Sequence, residues 1–409
     1  MRTIIVVGLA LISPAPLFAE PLSFEAALRR AENEAPSLRA SEAGIEAGRS
    51  DAIAADRLPD PTLDVGISDF PVSGPDAGRF NRDDFTMTTL GVSQMLVNPA
   101  KRRARAGRAN AEIEIAEAGF AVAAQSVRTE TAIAWIDLYY ARLRLAQLDL
   151  LNTSLDNLQA TVSARLASGA ARPSQAFEPE QLRAAITDRR SELSADVARA
   201  AALLARYTGD AEADVAGAPP ILQIDRAVLL AGISRLPRLR LIDAQAGAAD
   251  ADVRLARADL QPDWTVSASY GRREPAFGDL VSVGVSIDLP LFSGRRQEPR
   301  IAARISDASR VRFERVALER EVRAALEADL ADHTMHDQRL ENARAVLVPL
   351  ARRRAELDLA SYGAGTLDLG SALLSSLSLA EAEVEALARE AAVARDAIRI
   401  TFTYTEQQP

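Results

Sequence analysis

The chain has 409 residues, a formal net charge of −9 and no cysteine. The lack of cysteine excludes disulfides, thiolate metal sites and thiol nucleophiles, and the acidic balance argues against a nucleic-acid partner. Aromatic residues make up only 5% of the chain. Long stretches are dominated by Ala, Leu, Arg and Glu, which is typical of long helices or coiled coils.

Residues 1–19 have the pattern of a secretory signal peptide. Arg2 gives a positive start, residues 4–12 are apolar apart from Gly8, and small residues follow up to Ala19. The pattern predicts cleavage after Ala19, and an ordinary buried N-terminal segment is the alternative. The segment is too short for a spanning helix, and no other window approaches the roughly 18 consecutive apolar residues required. We therefore expect an exported chain that crosses any membrane as β-strands.

The first half predicts a hairpin between helices. Helical patterning runs from Phe24 to about Arg57, with Ser23 as a candidate N-cap, and Leu58-Pro59-Asp60-Pro61 ends it. Residues 63–67 and 90–96 then alternate between apolar and small or polar side chains, with Gln94 an exception on the apolar side. The turn-forming residues 71–76 lie between them. This pattern predicts a hairpin at about 61–97 with a long loop.

A very long helix is predicted next. The pattern from about Pro99 to Leu166 contains no internal proline, and at about 1.5 Å per residue it approaches 100 Å. No compact domain contains so long a helix, so the long helices must pack along each other. A turn at 168–173 leads to another helix that ends near Arg206, and Gly209 occupies the usual stop position.

The second half repeats this order. Residues 226–260 are predicted to be helical, and 264–270 and 281–289 alternate with period two, which predicts a hairpin at about 262–292. A helical pattern from about Arg300 continues to Leu359 across Pro349. A turn at 361–366 and a final helix to about Ile400 complete the half.

Two offsets indicate an internal duplication. Gly91-Val92-Ser93 matches Gly284-Val285-Ser286, and Leu166-Ala167-Ser168 matches Leu359-Ala360-Ser361, both with an offset of 193 residues. Upstream of the hairpins, Leu58 pairs with Leu260 at an offset of 202. The first hairpin loop is therefore predicted to be about nine residues longer than the second. We predict a first repeat over 20–225 and a second over 226–409.

Strand counting predicts self-association. Two hairpins supply four strands of about the length of tilted spanning strands, but four strands cannot close a barrel, and open edges are not tolerated in lipid. Two copies would give 8 strands and three would give 12. The predicted fold class is mainly α with a membrane β-barrel. The alternative, a soluble pair of sandwich hairpins, is disfavoured by the length of the flanking helices.

This order of elements resembles the TolC family of outer-membrane efflux proteins over nearly the whole mature chain. Residues 203–209, Leu-Leu-Ala-Arg-Tyr-Thr-Gly, are similar to the end-of-half signature of the family, and 362–366 are similar to its second periplasmic turn. Residues 58–61, with 91–94 and 99–101, resemble the branch that works with heavy-metal efflux pumps of the cobalt–zinc–cadmium and copper–silver type.

The resemblance implies a homotrimer with a shared 12-stranded barrel in the outer membrane and an α-helical tunnel extending into the periplasm. The tunnel would dock an inner-membrane pump through a periplasmic adaptor and conduct substrates, including heavy-metal cations, passively. We therefore expect outer-membrane lipid as a partner, no cofactor and no enzymatic activity. Two alternatives are the outer-membrane exit duct of a protein-secretion system and a periplasmic coiled-coil scaffold without a pore.

The resemblance also implies candidate site residues. The helical turns match the positions where family members meet the adaptor, and plain C-capping is the alternative. Family members often narrow the tunnel with aspartates at positions that are Ser371 and Leu374 here. Asp368 is therefore the candidate for an aperture ring, beside Ser371, with a solvated helix-start acid as the alternative. The predicted adaptor-contact residues are Ser168, Gly169, Ala170, Tyr362, Gly363, Gly365 and Thr366.

Other conspicuous residues have simpler interpretations. His333 and His336, the only histidines, share a helix face and could bind a soft divalent metal, but two ligands fall short of the usual three or four, so no metal site is predicted. Trp135, Tyr139 and Tyr140 are predicted to pack between helices. A basic group following each hairpin is predicted to meet lipid head groups or to be a solvated helix start: Lys101, Arg102, Arg103 and Arg105, with Arg295, Arg296 and Arg300.

Overall fold

The computed structural model describes residues 21–80, 82–167, 177–210 and 214–405, and the side chains of 151–167 are not described. The predicted signal peptide lies outside these residues. So does the predicted turn between helices at 168–173, with Ser168, Gly169 and Ala170. The chain forms two compact units. Unit 1 comprises the chain through Pro36 with Ala124–Leu229 and Ala325–Pro409, and unit 2 comprises Ser37–Ala123 and Leu230–Ala324. Each unit contains parts of both sequence repeats.

The described elements follow the predicted order. The first half contains α1 (Phe24–Glu34), α2 (Pro36–Ala55), β1 (Thr62–Ser68), β2 (Met87–Leu96), α3 (Pro99–Ala167) and α4 (Glu178–Thr208). The second half contains α5 (Arg226–Gly232), α6 (Pro237–Ala258), β3 (Trp264–Arg272), β4 (Leu280–Ile287), α7 (Gln297–Asn342), α8 (Val348–Gly363) and α9 (Leu369–Tyr404).

Prolines interrupt helices that the sequence pattern predicts as continuous. Ala35, with extended backbone angles, separates α1 from α2 because Pro36 lacks an N–H and restricts the residue before it. Pro237 likewise begins α6 after a short 3₁₀ turn. A π-helical turn at Ala343–Leu347 precedes α8, in which Pro349 lies at the start, where a missing N–H costs little.

Predicted helix caps are confirmed. Ser23 Oγ accepts a hydrogen bond of 3.2 Å from the backbone N–H of Ala26 at the start of α1. Gly209 ends α4 in the left-handed conformation with φ of 70°, and its N–H donates to the carbonyl of Ala205.

Trp135 is the centre of the first core of unit 1. The side chain is fully buried, stacks on Tyr139 at 5.4 Å between ring centroids, and meets the Phe24 ring edge-on at 5.5 Å. Its indole N–H donates to the carbonyl of Leu22 at 2.9 Å. Leu22 also forms a parallel bridge with Val215. The predicted role of Trp135 in packing between helices is therefore confirmed, and the residue also fixes the segment that leads into α1.

A second core of unit 1 lies beside the turn that follows α8. It joins α3, α4, α8 and α9 through fully or nearly fully buried side chains, among them Leu148, Ile186, Leu193, Tyr362 and Leu373. Tyr362, at the end of α8, therefore anchors the turn by packing its ring into this core.

The sheet belongs to unit 2 and has the antiparallel order β1-β2-β3-β4. Gly91 opposes Asp64 in the first hairpin, and Gly284 opposes Ser267 in the second. The offsets are thus 193 for the second strands and 203 for the first, one residue more than the predicted 202. The first loop is therefore ten residues longer rather than nine. The Pro-Asp pair at 59–60 corresponds to the Pro-Asp pair at 262–263.

β4 is shorter than predicted. The strand ends at Ile287, and Leu289 lies beyond it. The N–H of Asp288 donates to the carbonyl of Asp263 at 3.1 Å, and Pro290 has no N–H to continue a strand ladder.

Candidate functional site

One face of the sheet is apolar and exposed. Val65 is 70% exposed, and Val281 and Val283 are each 74% exposed. The pairing register aligns these residues into continuous rows across the strands, such as Leu63, Val92, Ala268 and Val283. An exposed apolar patch of this kind marks a surface made for contact with lipid or protein.

The opposite face carries small and polar side chains. A Cβ atom on Gly91 would lie 3.2 Å from the Cβ of Ser269, so a side chain at this position would require Ser269 to shift by a few tenths of an ångström. The neighbouring positions Asp64, Ser267 and Ser282 lie on the same face. The sheet therefore has one apolar and one hydrophilic face, which is the arrangement that a wall between lipid and water requires.

The sheet ends in two edges. Within the described residues, β1 pairs only with β2 and β4 pairs only with β3. Each edge thus presents a row of backbone N–H and C=O groups that can pair with another strand.

Lys101 links the two repeats at the end of the sheet where β2 finishes and β3 begins. Its Nζ lies 2.9 Å from Asp259 Oδ1 and 2.9 Å from Asp263 Oδ2. Asp263 also accepts hydrogen bonds from the backbone and side-chain N–H groups of Asn98, at 2.8 and 3.1 Å. These groups close the junction between the end of β2 and the start of β3.

The pKa values of this cluster follow from its contacts. Burial alone lowers the pKa of Lys101, but the hydrogen bonds and charges of Asp259 and Asp263 outweigh it and raise the pKa overall. Burial raises the pKa of Asp263, but hydrogen bonds from Asn98 and Lys101 outweigh it, so the net pKa is lowered. Both residues therefore stay charged over a wide pH range.

The predicted basic groups divide into two kinds. Lys101 is held in the junction and is not a freely solvated helix-start residue. Arg102 and Arg103 donate to the backbone carbonyls of Asp56 and Pro99, at 2.7 and 3.2 Å. The side chains of Arg295 and Arg296, by contrast, are exposed after β4 and form no ion pair in the described part of the chain.

The turn after α8 has the geometry of a capped helix end. The N–H of Gly365 donates to the carbonyl of Tyr362 at 3.0 Å, and both the N–H and hydroxyl of Thr366 donate to the carbonyl of Ser361. Gly363, Gly365 and Thr366 are exposed. Tyr362 is only 6% exposed because its ring lies in the core, so the accessible surface of the turn comes from residues 363–366.

Asp368 is the N-cap of α9. Its carboxylate accepts hydrogen bonds from the backbone N–H and hydroxyl of Ser371, at 2.9 and 2.8 Å. These bonds lower the pKa of Asp368. The two candidate aperture residues are thus bonded to each other at an exposed helix start.

Glu178, at the start of α4, is a nearby acid that sequence reasoning missed. A Cβ atom on Gly370 would lie 3.2 Å from Asp368 Oδ1 and 3.5 Å from Glu178 Oε2, so the two carboxylates flank one backbone position. Burial raises the pKa of Glu178, and the charge of Asp368 raises it further. Only the three-dimensional packing of α4 on α9 brings these acids together, which is why no sequence spacing indicated the pair.

We expect Glu178→Gln to raise the melting temperature at pH 7. An acid with a raised folded-state pKa binds its proton more tightly when folded, so its ionisation opposes the native contact above that pKa. The gain should vanish as the pH falls below the unfolded-state value of about 4.3, as thermal unfolding at a series of pH values would measure. Glu180→Gln, which changes an exposed acid in the same helical turn, controls for the lost charge near the helix start. An equal gain in both variants would contradict the role of Asp368.

His336 has a partner that the sequence did not reveal. Its Nδ1 lies 2.6 Å from Asp396 Oδ2 on α9, and Asp396 is only 5% exposed. Arg399 bonds the other oxygen of Asp396 at 3.0 Å. Among the described residues, no group of three His, Asp or Glu side chains could hold a metal ion. The side chain of His336 is therefore half-buried between α7 and α9, where it is bonded to Asp396.

No helix in the described ranges combines the length and apolar character needed to cross a membrane.

The chain has the fold of known outer-membrane channels. It aligns with a membrane protein from Pseudomonas aeruginosa at a TM-score of 0.78 and 17% identity, covering 93% of each chain. It aligns with the transmembrane channel CusC at 0.77 and 12% identity, covering 94% of this chain and 92% of that one. The MtrE outer membrane channel of Neisseria gonorrhoeae aligns at 0.75 and 14% identity, over 93% and 88%. The alignments agree with the mainly helical fold, with its small antiparallel sheet, that the sequence predicts.

Neither a protein-family model nor a curated protein sequence matches this chain.

Proposed function

We propose that the chain is the outer-membrane channel subunit of a tripartite efflux system. Three copies would form one duct that receives substrates from an inner-membrane pump through a periplasmic adaptor. The observation that carries the proposal is the four-stranded sheet, which has one exposed apolar face, one small polar face and two edges with a partner on one side only.

Physical constraints connect this sheet to a pore. The apolar face suits lipid, and the small polar face suits a water-filled lumen. Backbone groups at the edges of β1 and β4 cannot remain unpaired in lipid, so β4 of each copy pairs with β1 of the next. Three copies supply 12 strands and close the ring.

The internal repeat predicts the register of that closure. At the junction of the repeats, Leu90 opposes Tyr270 and Val92 opposes Ala268. Applying the offsets of 193 and 203 carries these pairs to Val283 opposite Ile67, and to Val285 opposite Val65, of the neighbouring copy. All four of these residues lie on the apolar face.

We expect the double variant Val65→Cys/Val285→Cys to form disulfides between copies. The chain has no cysteine of its own, and directly opposed strand residues have Cβ atoms about 4.5–5.5 Å apart. Oxidised outer-membrane fractions should therefore show covalent trimers on a non-reducing gel. Val65→Cys/Ser286→Cys, which points the second thiol to the opposite face, is the matched control and should remain monomeric. A monomer for both variants would refute the shared sheet.

The adaptor contact is proposed at the two helical turns. Gly363, Gly365 and Thr366 are exposed at the second turn, and residues 168–170 occupy the corresponding sequence positions in the first repeat. Asp368, one per copy, would bring three carboxylates to the same end of the duct, bonded to Ser371.

Heavy-metal cations are the proposed substrate class, because residues 58–61, 91–94 and 99–101 resemble the heavy-metal branch. A deletion strain should become sensitive to zinc, cobalt, cadmium or copper, and the cloned gene should restore resistance. Sensitivity to organic toxicants alone would contradict this substrate class and leave the channel proposal intact.

A further inference from the structure

The junction between the repeats of one chain is closed and polar. Asn98 is only 5% exposed. Its side-chain N–H donates to the carbonyl of Gln261 at 3.2 Å and to Asp263 at 3.1 Å. Lys101 completes the junction by bridging Asp263 and Asp259.

The two outer ends of the chain carry the corresponding residues, but these are exposed. With the offsets fixed by the strand register, Asn98 corresponds to Leu291, and Gln261 corresponds to Leu58. Leu291 is 75% exposed and Leu58 is 38% exposed. The buried polar contact between Asn98 and Gln261 is thus replaced, at the outer ends, by two apolar residues that are exposed to solvent.

The charged residues correspond in the same way. Asp263 corresponds to Asp60, which follows Pro59 as Asp263 follows Pro262. Gly294 takes the place of Lys101, but Arg295 and Arg296 follow it directly. Asp60 and both arginines are exposed, and in the ranges that the structure describes their side chains form no ion pair.

We infer that Leu291–Arg296 of one copy docks on Asp56–Asp60 of a second copy of this chain. Leu291 packs against Leu58 of the neighbouring copy, and Arg295 and Arg296 pair with its Asp60. The inference rests on the proposed closure of the sheet between copies, because that closure brings the end of β4 beside the start of the neighbouring β1.

Several properties of the two segments favour a second copy of this chain as the partner. The apolar residues face apolar ones, and two cationic groups face an anionic one, so the surfaces are complementary and not identical. Contact between different surfaces generates a ring when the rotation closes. The contact between Leu291–Arg296 and Asp56–Asp60 of the neighbouring copy is called the seam. The seam is continuous with the strand edges, since Leu291 lies four residues beyond β4 and Asp60 lies two residues before β1.

The first test is the double variant Leu58→Cys/Leu291→Cys in the full-length chain expressed in membranes. Covalent trimers on a non-reducing gel are expected. Leu58→Cys/Phe313→Cys is the matched control, because Phe313 is equally exposed but lies about 20 residues further along the chain, some 30 Å at helical rise. Equal cross-linking in the two variants would overturn the inference.

Comparison with the strand cross-link separates the two proposals. If Val65→Cys/Val285→Cys cross-links and Leu58→Cys/Leu291→Cys does not, the seam is wrong and the shared sheet stands. If neither cross-links, both fail.

Charge reversal tests the ionic half of the seam. We expect Asp60→Arg to lower the fraction of detergent-stable trimer several-fold, since it places like charges opposite Arg295 and Arg296. Adding Arg295→Asp/Arg296→Asp should restore the trimer. An unchanged trimer fraction in Asp60→Arg, or no recovery in the combined variant, would contradict the pairing.

Discussion

Replacing Trp135 with alanine is expected to lower the free energy of unfolding by about 3–5 kcal/mol, the usual cost of removing a buried aromatic side chain. The variant loses the stacking on Tyr139, the edge contact with Phe24 and the hydrogen bond to Leu22, and it leaves a cavity in unit 1. Unfolding in detergent, followed by circular dichroism at 222 nm, would measure the loss.

Trp135→Phe is the matched control for packing. It keeps a ring against Phe24 and Tyr139 and removes only the indole N–H. The carbonyl of Leu22 still accepts the N–H of Ala216 at 3.1 Å, so the cost should be about 1 kcal/mol beyond the lost ring area. Equal destabilisation by the two variants would show that the hydrogen bond, and not the packing, dominates.

Lys101→Met is expected to destabilise unit 2 by about 1–3 kcal/mol at pH 7. Methionine keeps a comparable aliphatic stem but leaves the carboxylates of Asp259 and Asp263 without their shared cation. The side chain of Lys101 is 20% exposed and that of Asp263 is 13% exposed, so water compensates only in part. The measurement is the shift in the unfolding midpoint relative to the unmodified chain.

The effect of Lys101→Met should depend on pH. The pKa of Asp263 is lowered in the folded chain, so its contribution is present above the unfolded-state value of about 3.9 and is lost as the pH falls through the folded value. The difference between the variant and the unmodified chain should therefore shrink below about pH 4. Arg103→Met, two residues further along α3, removes a side chain that donates to the carbonyl of Pro99 and has no ion pair among the described residues, so it should change little at any pH. A pH-independent loss would indicate packing as its cause.

The sequence predicted features that depend on local pattern. The alternation at 63–67 and 281–287 specified strands with one apolar face, because the side-chain period of a strand is two. Ser23 and Gly209 predicted their caps because capping involves only neighbouring residues. Strand counting needed no coordinates, since it depends only on the number of hairpins.

Contacts between distant residues were not predictable in this way. Asp263 lies 162 residues from Lys101, and Asp396 lies 60 residues from His336. No spacing rule joins residues that meet only when helices pack. The offset of 202 failed for a related reason: Leu58 and Leu260 are alike in type, but hydrogen bonding between strands, which the pattern does not specify, fixes the register at 203.

The two different edges of the sheet have a genetic consequence. Because β1 and β4 are distinct surfaces, the proposed closure between copies would let a chain damaged only at β1 still offer an intact β4 edge and be incorporated beside normal chains. In the proposed three-membered ring, each such chain would disrupt one of the three contacts between copies. If half of the chains carry the damage, only about one ring in eight escapes it. An allele that disables one edge should therefore be dominant in a cell that also expresses the normal chain, whereas an allele that disables both edges should be recessive.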